Sequence, residues 1–121
     1  MTRQTTEILN KMESLLAKPE AWTQGVWARD KNGEPIEPTS DGATCFCLHG
    51  ARRRAVWARR EMDTALDDAI RDRLSAAAVT LFPDRAIGSK DRPGHKVVGF
   101  NDHPDTTHAD VLQVVRLAAA I

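Results

Sequence analysis

The clearest periodic pattern in the chain is an apolar stripe that begins after Asp63 and ends before Pro83. Its members recur every three or four residues, which is the spacing of one face of an α-helix. Asp63 is a favourable N-cap, and proline cannot continue a helix. Because such a stripe must be covered by other elements, we expect this helix to lie at the centre of the core. The stripe consists of Ala65, Leu66, Ala69, Ile70, Leu74, Ala77, Ala78 and Leu81.

Helical spacing also predicts helices over residues 6–17 and 43–60, and a last helix that opens at Thr107. Thr107 and Asp110 have the spacing of a capping box. Gly50 lies inside the second of these helices, where glycine costs about 1 kcal/mol relative to alanine. We therefore expect another backbone or an aromatic ring to approach Gly50 closely.

Short extended segments complete the predicted fold. Residues 26–29 read as a strand that enters a turn at Asn32-Gly33, and residues 96–100 read as a second β run. Ile36 lies between two prolines and could add an edge strand. The sequence predicts an α+β fold, mainly helical, with about four helices and a two- or three-stranded sheet in a single compact domain over residues 1–121.

Composition excludes several classes of protein. The chain of 121 residues is 41% hydrophobic and 28% charged, which is typical of a globular domain. Its 17 basic and 17 acidic residues cancel, so any basic surface must be local. No apolar run is long enough to span a bilayer, and no signal sequence opens the chain. We expect a soluble, cytoplasmic protein with no membrane partner, and the sequence leaves its oligomeric state open.

A cluster of reactive side chains surrounds Cys47, at the start of a predicted helix. A thiol near a helix N-terminus can act as a nucleophile, with His108 or His49 as the base and Asp102 or Asn101 orienting that base. The competing interpretation is a buried, inert thiol, which is the commoner fate of a free cysteine. We favour the second interpretation, so an enzyme centred on Cys47 remains the alternative.

The same segment offers metal ligands, but their spacing is unusual. Cys45 and His49 are four residues apart and could be joined by His103 or His108. Structural zinc sites need four ligands, commonly two well-spaced pairs, and Cys45 and Cys47 would point to opposite sides of a helix. We therefore predict no metal site, and no motif indicates a cofactor.

An arginine-rich segment suggests a binding surface. Its arginines can contact phosphates, and Trp57 among them could stack on a base. The competing interpretation is a solvated face, neutralised by acidic residues of the next helix. Asn101 and Asp102 follow a predicted strand, where binding groups often lie, although this pair also forms ordinary turns. The candidate binding residues are Arg52, Arg53, Arg54, Arg59, Arg60, Asn101 and Asp102.

Several short motifs follow one another along the chain: Trp22-Thr23-Gln24-Gly25, Ala28-Arg29-Asp30 with Gly33, Cys47-Leu48-His49-Gly50-Ala51, Phe100-Asn101-Asp102 and Thr107-His108-Ala109-Asp110-Val111. Together they resemble a family of small bacterial and phage proteins that is classed as a domain of unknown function. The family usually has tryptophan at the positions of Phe46 and Phe100. The resemblance implies a small α+β domain carried by phages and mobile elements, with no activity to transfer.

The sequence therefore favours an interaction or regulatory protein over an enzyme. We expect a protein partner, which could be a host macromolecule that a phage protein inhibits. Nucleic acid bound by the Arg52 to Arg60 face is a further alternative.

Overall fold

The computed structural model describes residues 2–57, 62–88 and 93–121. Within these ranges, five α-helices accompany one small antiparallel sheet, so the predicted fold class is confirmed and the helix count exceeds the expected four by one. The helices are α1 (Arg3–Leu15), α2 (Leu48–Val56), α3 (Thr64–Leu81), α4 (Pro93–Asp102) and α5 (His108–Ala120). The strands are β1 (Ala28–Arg29) and β2 (Cys45–Phe46), and a single 3-10 turn spans Pro19–Ala21.

Helix α3 is central, as its apolar stripe predicts. It packs against α4 and α5, and also contacts α1 and α2. Its N-cap is Asp63, whose side chain accepts a hydrogen bond from Leu66 N. Ile70, Leu74, Ala77 and Ala78 are fully buried, whereas Ala65, Ala69 and Leu81 of the predicted stripe are exposed.

The last helix begins as predicted. The Thr107 side chain accepts from Asp110 N, and the Asp110 carboxylate accepts from Thr107 N, which completes the capping box. Arg85 reinforces this end of α5 through an ion pair with the Asp110 carboxylate at 2.8 Å. Partial burial raises the pKa of Asp110, but the Thr107 backbone N–H and Arg85 outweigh that effect and lower it.

The sheet differs from the prediction. Ala28 pairs with Phe46 and Arg29 with Cys45, so the partner of the first strand is the segment assigned by sequence to a helix. That helix begins at Leu48 rather than at residue 43. Pro35 forms an isolated bridge to Arg29, which places the expected edge segment beside β1 without making it a strand.

The predicted β run at residues 96–100 is wrong, because these residues belong to α4. Val97 and Phe100, three residues apart, are both fully buried on the side of α4 that faces the core. Asn101 and Asp102 accordingly close a helix instead of forming a turn after a strand.

Candidate functional site

A small cavity lies between the segment before β1, the start of α2 and the end of α4. Its volume is about 90 Å³, which is enough to hold several water molecules. Apolar side chains, a thiol, an imidazole and a carboxylate meet in its wall. The residues that line it are Gly25, Val26, Trp27, Cys47, His49, Val98, Asn101 and Asp102.

Asn101 holds the three elements around this cavity together. Its side chain is 1% exposed, and its Oδ1 accepts from Trp22 Nε1 at 2.8 Å and from Leu48 N at 3.1 Å. Its Nδ2 donates to Thr23 O at 3.2 Å and to Asp102 Oδ1 at 2.9 Å. All of its hydrogen-bonding capacity is thus used inside the protein, so Asn101 positions the site and is not free to contact a ligand.

Asp102 fixes the loop that forms one side of the cavity. Its Oδ1 accepts from Gly25 N at 3.0 Å, and the neighbouring Gln24 donates from Nε2 to the carbonyls of Asn101 and His103. Gly25 has φ of +83°, a left-handed conformation that glycine adopts without strain. The loop therefore reaches Asp102 in a shape that a residue with a side chain would resist.

Cys47 caps the N-terminus of α2 through its sulfur. Its Sγ accepts from Gly50 N at 3.3 Å, and the residue is 6% exposed. Burial raises the pKa of the Cys47 thiol, and the backbone N–H groups of Gly50 and His49 lower it only in part. A thiol held in this way is a helix cap with little thiolate at neutral pH, which is a poor nucleophile.

His49 lines the same cavity as a neutral imidazole. Burial, and to a lesser extent the positive charge of Arg52, lowers its pKa to about 4. Its Nδ1 is buried and has no hydrogen-bond partner among the described residues. A neutral ring with an unused nitrogen can accept or donate one hydrogen bond, according to its tautomer.

Trp27 lies at the edge of the cavity, and 45% of the residue is exposed. The Arg53 guanidinium lies 5.1 Å from the ring centroid, and the His49 ring lies 5.9 Å away at a tilt of 44°. The Trp27 carbonyl accepts from Cys47 N at 3.1 Å and packs directly on the α-carbon of Gly50, where a side chain would collide with it. The close approach predicted at Gly50 is confirmed, and it is a backbone that approaches.

The arginines of α2 do not form one exposed face. Arg52 is 6% exposed and its Nε donates to Asp67 Oδ1 at 2.9 Å, a correction to its expected place on the surface. Arg53 lies over Trp27, and Arg54 donates to the carbonyls of Pro38 and Ser40. The side chains of Arg52 and Arg54 are therefore occupied within the protein. Arg59 and Arg60 lie outside the described residues.

His108 is placed apart from Cys47. It opens α5, and its Nε2 lies 2.6 Å from Leu16 O at the end of α1. It does not line the cavity, so of the proposed nucleophile and base pairs only Cys47 and His49 share it. In the described ranges, no three histidine, cysteine or acidic residues are grouped as a metal site requires.

Six residues of the cavity wall are not among the candidate binding residues. Cys47 and His49 are predicted only as catalytic or metal-binding groups, and the others are Gly25, Val26, Trp27 and Val98. Val98 was missed because residues 96–100 were assigned to a strand, although Val97, Phe100 and Asn101 follow the spacing of a buried helical face. Trp27 carried no local signal, since its exposure depends on the turn and on the distant start of α2.

The comparison with protein families matches residues 1–121 to a family described as a family of unknown function (DUF6197). No curated protein and no solved structure matches the chain. No helix in the described residues has both the length and the apolar character that a membrane crossing requires.

Proposed function

Since the chain belongs to this family of unknown function, we propose its function from its own site: it is an interaction protein that binds a protein partner through Trp27 and the adjoining cavity. The observation that supports this most is the exposure of an indole that the fold holds rigidly. Tryptophan is enriched among the residues that dominate binding energy at protein interfaces.

The surroundings of Trp27 favour a binding role over a packing role. The ring is contacted by Arg53 and His49 and its backbone is fixed by Cys47 and Gly50, yet 45% of the residue remains exposed. A rigid side chain loses little conformational entropy on binding, so more of its contact energy appears as affinity. The cavity beside it adds a concave surface for one side chain of the partner.

The resemblance to small bacterial and phage proteins supports a finer proposal. The partner is a host macromolecule, and binding inhibits it in the cytoplasm. This part is tested once a partner is purified, by measuring the partner's activity with a saturating amount of the protein. If the partner's activity is unchanged, the proposed inhibition is contradicted, but the proposal that the two proteins bind is not.

The two alternatives have less support from the site. Nucleic-acid binding by the Arg52 to Arg60 face needs free guanidinium groups, but Arg52 and Arg54 are engaged within the protein. An enzyme centred on Cys47 needs a thiolate and a base, but burial raises the pKa of this thiol, and its sulfur accepts a backbone N–H.

The test is affinity capture with three forms of the chain, followed by titration of the captured partner after purification. We expect Trp27→Ala to raise the dissociation constant about tenfold or more, because truncation of a tryptophan at the centre of an interface commonly removes that much binding energy. Val79→Ala is the matched control, because Val79 is also exposed but lies on α3. Equal affinities for the wild type and Trp27→Ala would contradict the proposal.

A further inference from the structure

One wall of the cavity carries a carboxylate that attracts cations. Asp102 Oδ1 is held by two N–H donors, Gly25 N at 3.0 Å and Asn101 Nδ2 at 2.9 Å. No ion pair among the residues described for this chain includes Asp102. The carboxylate is therefore fixed in place, and its negative charge has no counter-ion in the described structure.

The indole on the cavity edge attracts cations as well. The Arg53 guanidinium already lies 5.1 Å from the Trp27 ring centroid, which shows that the ring is placed for a cation–π contact. Guanidinium groups make such contacts more often than ammonium groups, because they are planar and weakly hydrated.

The remaining polar groups of the wall do not favour an anion. The His49 imidazole lines the cavity as a neutral ring, because burial lowers its pKa to about 4, so it adds no positive charge that would repel a cation. The amides at the start of α2 are already used, because Leu48 N donates to Asn101, Gly50 N to Cys47 Sγ and Ala51 N to Cys47 O. An anion would find none of these amides free.

We propose that the cavity receives the guanidinium group of an arginine side chain on the partner protein. The guanidinium would pair with Asp102 and stack on Trp27, beside the neutral His49 ring. Its four heavy atoms suit a cavity of about 90 Å³. This inference rests on the proposed binding function and names the chemistry that the partner presents.

The test is a titration of the folded protein, followed by heteronuclear NMR, with N-acetyl-arginine methylamide as the probe. The matched probes are the lysine, leucine and glutamate analogues. We expect saturable shifts at Gly25, Trp27 and Asp102 with the arginine probe, in the millimolar range typical of a single side chain. Equal or stronger binding of the leucine or glutamate probe overturns the proposal, and tighter binding of the lysine probe shows that an ammonium is preferred and overturns the guanidinium assignment.

Two charge variants should act in opposite directions. Asp102→Asn keeps an acceptor oxygen for Gly25 N but removes the charge, so binding of the arginine probe should weaken about tenfold. Arg53→Gln removes a nearby positive charge and frees a face of Trp27, so binding should strengthen about threefold. Asp105→Asn is the control, because Asp105 is exposed and does not line the cavity. The reverse pattern identifies an anion site.

These outcomes are separable from those of the proposed function. Capture of a partner that depends on Trp27, with no saturable binding of the arginine probe, overturns this inference alone. If the arginine probe binds but Trp27→Ala does not reduce affinity for the partner, the proposed interface is overturned. The proposed guanidinium site is then still supported.

Discussion

Trp22 Nε1 donates to Asn101 Oδ1 at 2.8 Å and so joins two residues that are 79 positions apart in the chain. The same oxygen accepts from Leu48 N, and the amide nitrogen donates to Thr23 O. A single buried side chain therefore connects the segment before β1, the start of α2 and the end of α4.

Replacing Asn101 with alanine should strongly destabilise the fold. The change leaves Trp22 Nε1, Leu48 N and Thr23 O without these hydrogen bonds, and each buried unsatisfied group costs about 1–3 kcal/mol. We expect the free energy of unfolding in urea to fall by about 3 kcal/mol or more. Asn10→Ala is the control, since Asn10 is exposed on α1 and should change stability by less than about 0.5 kcal/mol. A loss below about 1 kcal/mol in Asn101→Ala would show that water replaces the missing amide.

The buried ion pair between Arg52 and Asp67 offers a double-mutant test. Arg52→Met should destabilise the protein by about 3–5 kcal/mol, because it leaves the Asp67 carboxylate buried without its partner. Arg52→Met combined with Asp67→Leu should recover most of this loss, since two apolar side chains of similar volume need no pairing. Thermal unfolding of the wild type, both single variants and the double variant measures the coupling. Additive effects would mean that water reaches Asp67.

His49 should make the protein less stable as the pH falls. Its pKa in the folded state is about 4, below the ordinary value of 6.5, so the unfolded chain takes up a proton before the folded one does. Stability is therefore lost as the pH falls from 7 towards 4, by about 2 kcal/mol at pH 5 from this group. His49→Gln should flatten that part of the curve of unfolding free energy against pH, while His95→Gln, an exposed control on α4, should not. If His49→Gln leaves the curve of unfolding free energy against pH unchanged, the imidazole is exposed to solvent in the folded protein and the prediction is wrong.

The two cysteines should differ in reactivity. Cys47 is 6% exposed with a raised pKa, whereas Cys45 in β2 is only half-buried. We expect iodoacetamide at pH 7.5 to label Cys45 about tenfold faster or more, measured on the separate peptides by mass spectrometry, because the thiolate is the reacting form. In denaturant the two rates should converge. Faster labelling of Cys47 in the folded protein would support the alternative hypothesis of an enzyme centred on Cys47.

Local patterns in the sequence predicted the elements whose structure depends on local interactions. The stripe of α3 and its cap at Asp63 needed only spacing and one side chain, and so did the capping box of Thr107 and Asp110. The close approach at Gly50 was also predictable, because glycine inside a helix suggests that another group packs against it. In each of these cases the information lies within a few residues of the element.

The elements that form the cavity could not be predicted from local sequence patterns. Cys45 and Phe46 are extended because they pair with β1, and no pattern near them indicates partners 16 and 18 residues earlier. Cys47 is not a usual N-cap residue, so the true start of α2 was missed. Valines at 97 and 98 favour a strand by propensity, but tertiary packing of Val97 and Phe100 on α3 decides for a helix.

The long-range contacts of Asn101 also determine when the cavity can form during synthesis of the chain. The loop from Trp22 to Gly25 leaves the ribosome early, but its partner in α4 is synthesised only in the last fifth of the chain. Contacts so distant in sequence form late in folding, after much chain entropy has been lost. A nascent or truncated chain that lacks Asn101 cannot assemble the cavity, so the proposed binding site is complete only in molecules that have finished folding.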